Sequence, residues 1–146
     1  MSDKPIWFSN PDLKTLNALG ENNAVSHLGI EITEIGPNFL RGTMPADHRT
    51  FQPYGLIHGG ANVVLAETLG SVGANMVVNP MEYYCVGQEV NANHLRGVRS
   101  GKVTGTASLV HAGRTSQVWS IEIKDEEGRL TCISRLTIAV VPHKRN

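Results

Sequence analysis

A histidine followed by two glycines, His58-Gly59-Gly60, stands at the start of the longest apolar segment of the chain. If that segment is a helix, its first backbone N–H groups have no partner within the helix. Glycines let a ligand approach those N–H groups closely, and the helix dipole favours negative charge there. The arrangement meets the requirement of an oxyanion hole, which stabilises the charge developing on a carbonyl oxygen. The alternative is a tight turn into the helix, with His58 as a polar flank.

Glu67 lies in the middle of the same segment, where a carboxylate is unexpected. Burying a carboxylate among apolar side chains is costly unless it is paired or hydrogen-bonded, and residues 59–78 contain no Lys or Arg. A carboxylate in this setting suits a general base or a nucleophile. The alternative is a structural role, in which Glu67 is bound by loop N–H groups or by the arginine at position 49, 96 or 99.

Gly59 and Glu67 are too far apart on one helix to act on one carbonyl group. At about 1.5 Å rise per residue they are separated by about 12 Å along the helix axis. If both act in one reaction, the carboxylate has to come from a second copy of the chain whose helix runs antiparallel to the first. The spacing therefore predicts an active site shared across a two-fold dimer.

Further polar side chains accompany these two candidates. Gln52, in the loop before His58, can donate to a carbonyl oxygen and accept from a water molecule. Ser71 and Asn75 follow Glu67 at helical spacing, so the three form one polar stripe. Basic and hydroxyl side chains after the helix could hold phosphate groups, although a solvated surface is the more common explanation. They are His94, Arg96, Arg99, Lys102, Arg114, Thr115 and Ser116.

The elements that must position these residues follow from the hydrophobic pattern. A short surface helix begins at Asn10-Pro11-Asp12 and ends before Gly20, with leucines at three-residue spacing. Alternating apolar residues predict a hairpin of two strands over 30–35 and 39–44, and a loop follows over 46–56. The segment 59–78 is apolar on most sides, which predicts one long buried helix.

Four strand-like segments follow the long helix, separated by breaks of hairpin length. They span residues 85–95, 102–111, 115–124 and 130–141. We expect them to form an antiparallel meander, so the fold class is α+β with a sheet wrapped around one central helix. Such a sheet leaves two open edges, which favours dimerisation by edge pairing or face packing.

Composition narrows the class of protein. The 146 residues predict one domain, and 13 basic against 13 acidic residues argue against a general nucleic-acid or anionic-membrane binder. No apolar run before Asp12 resembles a signal sequence, and residues 59–78 are too polar to cross a membrane. Cys85 and Cys132 lack a CxxC spacing, and the six histidines lack a metal-ligand spacing. We expect a cytoplasmic protein that needs no metal or other cofactor.

Three segments together resemble the hotdog-fold acyl-CoA thioesterases. They are residues 50–60 (TFQPYGLIHGG), 65–71 (LAETLGS) and 91–96 (NANHLR). They are most similar to the branch with the phenylacetate-pathway, menaquinone-pathway and enterobactin-proofreading thioesterases. The resemblance extends from Ala24 to Val141. It implies a single hotdog domain over residues 1–146, with an N-terminal helical extension at 1–23.

The resemblance also implies roles for the candidate residues. Glu67 of one subunit attacks the thioester carbonyl or activates water against it, while the Gly59 N–H of the other subunit polarises the carbonyl oxygen. Gln52 and His58 position the thioester or the water, and Ser71 assists the carboxylate or the water. The CoA nucleotide lies near the protein surface, where the residues similar in position to its contacts are His94, Arg96, Arg114, Thr115 and Ser116.

The implied substrate is an aryl or medium-chain acyl-CoA, or an acyl group on an acyl or aryl carrier protein. The implied assembly is a homodimer with shared active sites, paired into a homotetramer as a dimer of dimers. Two alternatives stay open. One is a hotdog dehydratase or hydratase of acyl thioesters, and the other is a non-catalytic acyl-CoA-binding module.

Overall fold

The computed structural model describes residues 4–144, which form three helices and one sheet. The long central helix begins at Gly59, immediately after His58, whose ring accepts a hydrogen bond at the helix N-terminus. It ends where the sequence predicts, just before Asn79-Pro80. The helices of the described residues are α1 (Leu13–Ala18), α2 (Ala24–His27) and α3 (Gly59–Val77).

Six antiparallel strands form the sheet, and all six lie close to their predicted bounds. They are β1 (Glu31–Ile35), β2 (Phe39–Pro45), β3 (Tyr83–His94), β4 (Lys102–Ala112), β5 (Ser116–Lys124) and β6 (Leu130–Pro142). Their order across the sheet is β1-β2-β4-β5-β6-β3. The α+β class, with an antiparallel sheet around one long helix, is therefore confirmed.

The predicted four-stranded meander is wrong for β3. Strands β4, β5 and β6 do follow one another, but β3 pairs with β6 at the far edge of the sheet, and β4 pairs with β2 instead. The alternation of apolar residues shows that a segment is a strand but does not show its neighbour. The neighbour depends on residues 95–101, which carry the chain from one edge back to the middle of the sheet.

Helix α3 packs against the inner face of the sheet. Leu65 and Leu69 are fully buried there, together with Trp119 and Leu136. Leu69 fits into a depression made by two glycines, Gly42 on β2 and Gly105 on β4, which are direct partners in the strand register. Both cysteines are buried and unpaired within the core, and burial raises the pKa of both thiols.

The prediction that α3 is a buried helix is only partly correct for the chain taken alone. Val64, Glu67, Ser71 and Val72 are only half-buried, and Asn75 is exposed. The sheet covers one side of the helix, so the polar stripe faces outward. Within residues 4–144, no helix has both the length and the apolar character needed to span a membrane.

The N-terminal residues are only partly helical. Helix α1 begins at Leu13 rather than at Pro11, because Asp12 is its N-cap and accepts a hydrogen bond from the Thr15 N–H at 2.8 Å. Trp7 stacks on Trp119 with 6.2 Å between ring centroids, and its Nε1 donates to the Gly36 carbonyl at 2.7 Å. Residues 4–23 of the expected helical extension are therefore a core-packed segment followed by one short helix, α1, and residues 1–3 lie outside the described chain.

Two asparagines fasten helices to the two edge strands. Asn17 donates to the Ile32 carbonyl of β1 at 2.9 Å and accepts from its N–H at 2.8 Å. Asn75 does the same on β3, with 3.2 Å to the Cys85 carbonyl and 2.9 Å from the Cys85 N–H. The exposed end of the polar stripe therefore has a structural role, since Asn75 sets the position of β3 relative to α3.

Replacing Asn75 by alanine should lower the free energy of unfolding by about 1 to 2 kcal/mol, because two hydrogen bonds to the edge strand are lost. Urea denaturation followed by circular dichroism measures the change. Asn10→Ala is the control, since the Asn10 side chain makes no hydrogen bond to the described chain. Equal stability of the two variants would contradict the fastening role.

Candidate active site

The Gly59 N–H is the one unpaired donor in the first turn of α3, as far as residues 4–144 are concerned. The next three N–H groups all bind His58. Gly60 N donates to its Nδ1 at 2.8 Å, and Ala61 N and Asn62 N donate to its carbonyl at 2.9 and 3.2 Å. A free N–H at a helix N-terminus is suited to an oxygen that gains negative charge.

His58 and Gln52 both present a donor because their acceptor atoms are occupied. Since Nδ1 of His58 accepts from Gly60, the neutral ring carries its proton on Nε2. Oε1 of Gln52 accepts from the Tyr54 N–H, which leaves its Nε2 free. Both side chains can therefore donate to a carbonyl oxygen or a water.

The loop before α3 holds Gln52 through its own hydrogen bonds. The N–H groups of Thr50 and Phe51 both donate to the Asp47 carbonyl, at 2.9 and 3.0 Å, and Oγ1 of Thr50 donates to the Pro45 carbonyl at 2.6 Å. His58 N then donates to the Thr50 carbonyl at 2.7 Å, which brings the loop back to the helix. Arg49 is bound to Asp47 at 2.7 Å, so it is not a partner of Glu67.

Acid should loosen this loop through Asp47. Hydrogen bonds from the Arg49 side chain and backbone lower the pKa of Asp47 to about 2. The ionised carboxylate therefore stabilises the folded chain fully above its unfolded pKa of about 3.9, and this contribution is lost as the pH falls toward 2.

We expect Asp47→Asn to flatten the decline of stability between pH 4 and pH 2, measured by urea denaturation. Glu21→Gln, at an exposed carboxylate without a partner in residues 4–144, should leave the decline unchanged. An unchanged decline in Asp47→Asn would contradict the assignment.

His94 is the residue that the fold brings closest to Gly59. A Cβ added to Gly59 would lie 2.8 Å from Nε2 of His94, so the imidazole lies beside the free N–H. Arg96 follows two residues later and is exposed. His58, Gly59 and His94 therefore lie together, and Gln52 and Arg96 are close to them in sequence. We call these five predicted residues the donor group.

Glu67 lies apart from the donor group, since it is eight residues after Gly59 and about 12 Å from it along the axis of α3. It is half-buried, and its carboxylate has no hydrogen bond or ion pair with any residue of the described chain. The described chain therefore does not show the structural alternative for Glu67. Neither loop N–H groups nor the arginines at positions 49, 96 and 99 bind its carboxylate. Ser71 lies one turn further along the same half-exposed face.

Gly87 lies against Glu67, a contact that the sequence did not reveal. A methyl group at this position of β3 would overlap Oε1 of Glu67, so the carboxylate lies directly against the backbone of the edge strand. Only a residue without a side chain leaves this space. The signal is absent from the sequence, because it depends on the packing of β3 against α3.

The residues expected to contact the CoA nucleotide fall at opposite ends of the sheet. His94 is the register partner of Cys132, whereas Ser116 is the partner of Ala139. Cys132 and Ala139 are seven positions apart on β6, which corresponds to about 23 Å along the strand. Arg114, Thr115 and Ser116 therefore lie at the end where Gly87 and Glu67 meet, away from the donor group.

A largely apolar pocket of about 400 Å³ opens beside Glu67. Helix α3 supplies one wall, and the N-terminal segment supplies the other. The lining side chains include Leu16, Leu19, Val25, Val64, Thr68 and Val72. A carboxylate at the rim of such a pocket can reach the carbonyl carbon of a ligand whose apolar part lies inside.

Sequence comparison agrees with this geometry. The family model of the thioesterase superfamily matches residues 54–132, which include Gly59, Glu67 and Gly87. A 1,4-dihydroxy-2-naphthoyl-CoA hydrolase of Escherichia coli K12 is 52% identical over 93% of this chain and 99% of its own. A proofreading thioesterase of Cronobacter turicensis is 47% identical over 93% of this chain and 98% of its own.

Two solved structures of thioesterases superpose closely on this chain. The crystal structure of a mutant thioesterase from Pseudomonas aeruginosa superposes with a TM-score of 0.93 at 51% identity, covering 94% of this chain and 99% of that one. A thioesterase from Haemophilus influenzae superposes with a TM-score of 0.91 at 50% identity, covering 94% and 95%.

Proposed function

The chain belongs to the thioesterase superfamily and has its hotdog fold, and from that premise we propose that it hydrolyses acyl-CoA thioesters in the cytoplasm. The observation that carries the proposal is that α3 presents both an N–H at Gly59 and a carboxylate at Glu67 that have no hydrogen-bond partner within residues 4–144. The apolar pocket beside Glu67 supports an aryl or medium-chain acyl group. The name of the Escherichia coli relative supports CoA as the thiol.

The active site is shared by two copies of the chain. Strand β3 is an open edge, free to pair with β3 of a second copy. An antiparallel pairing centred between Val90 and Asn91 sets His94 of one copy opposite Gly87 of the other. The donor group of one copy then faces Glu67 of the other. Two such dimers associate as a homotetramer, for which the exposed Val110 and Ile133 on the outer face of the sheet offer apolar contacts.

Hydrolysis proceeds by one of two routes in this site. In both, the thioester carbonyl oxygen accepts a hydrogen bond from the Gly59 N–H, and Gln52 and His58 donate to the carbonyl or the water. In the first route, Glu67 attacks the carbonyl carbon, the C–S bond breaks, and CoA leaves as the thiolate; water then hydrolyses the resulting anhydride, which restores the Glu67 carboxylate, and the proton released neutralises the thiolate. In the second, Glu67 takes a proton from water as the water attacks the carbonyl carbon; the C–S bond then breaks, and protonated Glu67 gives the proton to the sulfur, so that CoA leaves as the thiol. Ser71 assists the carboxylate or the water in either route.

The phosphates of CoA are held at the surface by residues from both copies. His94 and Arg96 belong to the donor group, while Arg114, Thr115 and Ser116 lie at the Glu67 end of the sheet. In the antiparallel dimer these two sets approach each other, so cations and hydroxyls from different subunits can bind one nucleotide.

Release of free thiol from a panel of thioesters tests the proposal. The panel contains benzoyl, hydroxybenzoyl, phenylacetyl and straight-chain acyl-CoAs, and the same acyl groups on a carrier protein. We expect thiol release by the parent and none by Glu67→Ala. Hydration of an enoyl-CoA without thiol release would instead indicate a dehydratase or hydratase, and binding without turnover would indicate a binding module. Faster release from the carrier protein would identify that thioester as the substrate.

A further inference from the structure

A second pocket adjoins the one beside Glu67. It has a volume of about 270 Å³ and lies toward the C-terminal half of α3, next to Asn75 and Met76. Four residues line both pockets: Leu16, Leu19, Ser71 and Val72. These four side chains therefore lie between the two spaces.

The two leucines differ in what their removal would do. Leu16 is only 4% exposed and belongs to the core, so its truncation would destabilise the chain. Leu19 is 64% exposed, follows the last residue of α1, and is not part of the core. Its side chain can be removed without loss of core packing.

The segment that carries Leu19 is held in place. Asn17, two residues earlier, is hydrogen-bonded to both backbone polar groups of Ile32 on β1. Gly20, the next residue, is buried, and its carbonyl accepts from the Ser26 N–H at 3.2 Å. The backbone on both sides of Leu19 is therefore held in place, and this sets the position from which its side chain lines the pocket.

The space on both sides of Leu19 suits an apolar chain. Oγ1 of Thr68 donates to the Val64 carbonyl, and the amide of Asn75 binds Ser71 and Cys85. The side-chain polar groups of Asn17, Thr68 and Asn75 are thus already engaged, so an aliphatic chain passing them would break no hydrogen bond.

We propose that Leu19 sets the maximum length of the acyl group by separating the pocket beside Glu67 from the second pocket. The inference rests on the proposed function, because it takes the pocket beside Glu67 as the acyl site. Replacing Leu19 by alanine joins the two spaces into one longer channel. Straight-chain acyl groups that stop at Leu19 in the parent then extend toward Met76.

Binding of S-alkyl-CoA thioethers with six to fourteen carbons, measured by calorimetry, tests this role. These ligands have no carbonyl to hydrolyse, so their affinity is independent of turnover. In the parent we expect the affinity to rise with chain length up to medium chains and then to level off or fall. In Leu19→Ala the affinity for the fourteen-carbon ligand, relative to the eight-carbon ligand, should rise about tenfold.

Leu13→Ala is the matched control, because Leu13 is an exposed leucine at the start of α1, the helix that ends just before Leu19, and it lines neither pocket. Its length profile should follow the parent. An unchanged profile in Leu19→Ala, an equal change in Leu13→Ala, or a parent that binds no thioether would overturn the inference. Failure of the proposed function would appear separately, as absence of thiol release from every thioester by a parent that still binds the thioethers.

Discussion

Replacing Glu67 by alanine will lower kcat for thioester hydrolysis by about 10³-fold or more, because no other carboxylate lies on the polar stripe of α3 to take its place. The free energy of unfolding should change little, since the carboxylate makes no hydrogen bond or ion pair that stabilises the described chain. Thiol release under saturating substrate measures the first quantity, and urea denaturation the second.

Glu67→Gln separates charge from shape. The amide keeps the volume of the side chain but can neither attack a carbonyl nor take a proton, so its kcat should fall as far as that of Glu67→Ala. Glu122→Gln, on the outer face of the sheet, is the control and should keep parental activity. A folded Glu67→Ala protein with near-parental kcat would contradict the assignment of Glu67.

Replacing Gly87 by alanine will lower kcat by about 10²-fold, since displacing a reacting group by about 1 Å has a cost of this order. The added methyl group overlaps Oε1 of Glu67, which is the end of a flexible side chain. The carboxylate therefore rotates away and the backbone stays in place, so we expect unchanged stability and a KM close to the parental value. Steady-state kinetics together with urea denaturation measures all three quantities.

Val86→Ala is the control for this variant, because Val86 is the preceding residue of β3 and its half-exposed side chain lies on the other face of the strand. It should keep the parental kcat. A Gly87→Ala protein with parental kcat, or one that loses activity only because it unfolds, would show that Gly87 does not position Glu67.

The local elements could be predicted from the sequence because their signals are local. The bounds of α3 follow from Gly59 and from Asn79-Pro80, and each strand shows its own alternation of apolar residues. The separation of Gly59 from Glu67 also follows from helix geometry alone. These features need no knowledge of which elements touch.

The pairing of β3 with β6 could not be predicted, because it depends on contacts between distant parts of the chain. The same holds for Gly87, whose importance arises only when β3 lies against Glu67. The half-exposure of Glu67 could not be predicted for a related reason: an apolar helix is expected to be buried, whereas the face of α3 that carries Glu67 is not covered by the sheet. Trp7 likewise joins the core only through its stacking on Trp119.

The shared active site is the central claim, and complementation between two inactive variants tests it most directly. Glu67→Ala and Gln52→Ala chains carrying different tags are co-expressed, and mixed assemblies are purified through both tags. Each mixed dimer holds one site with both substitutions and one site with neither. We predict that thiol release returns to about half of the parental rate per dimer, far above either variant alone. Activity no higher than that of the two variants would contradict a site built from two copies of the chain.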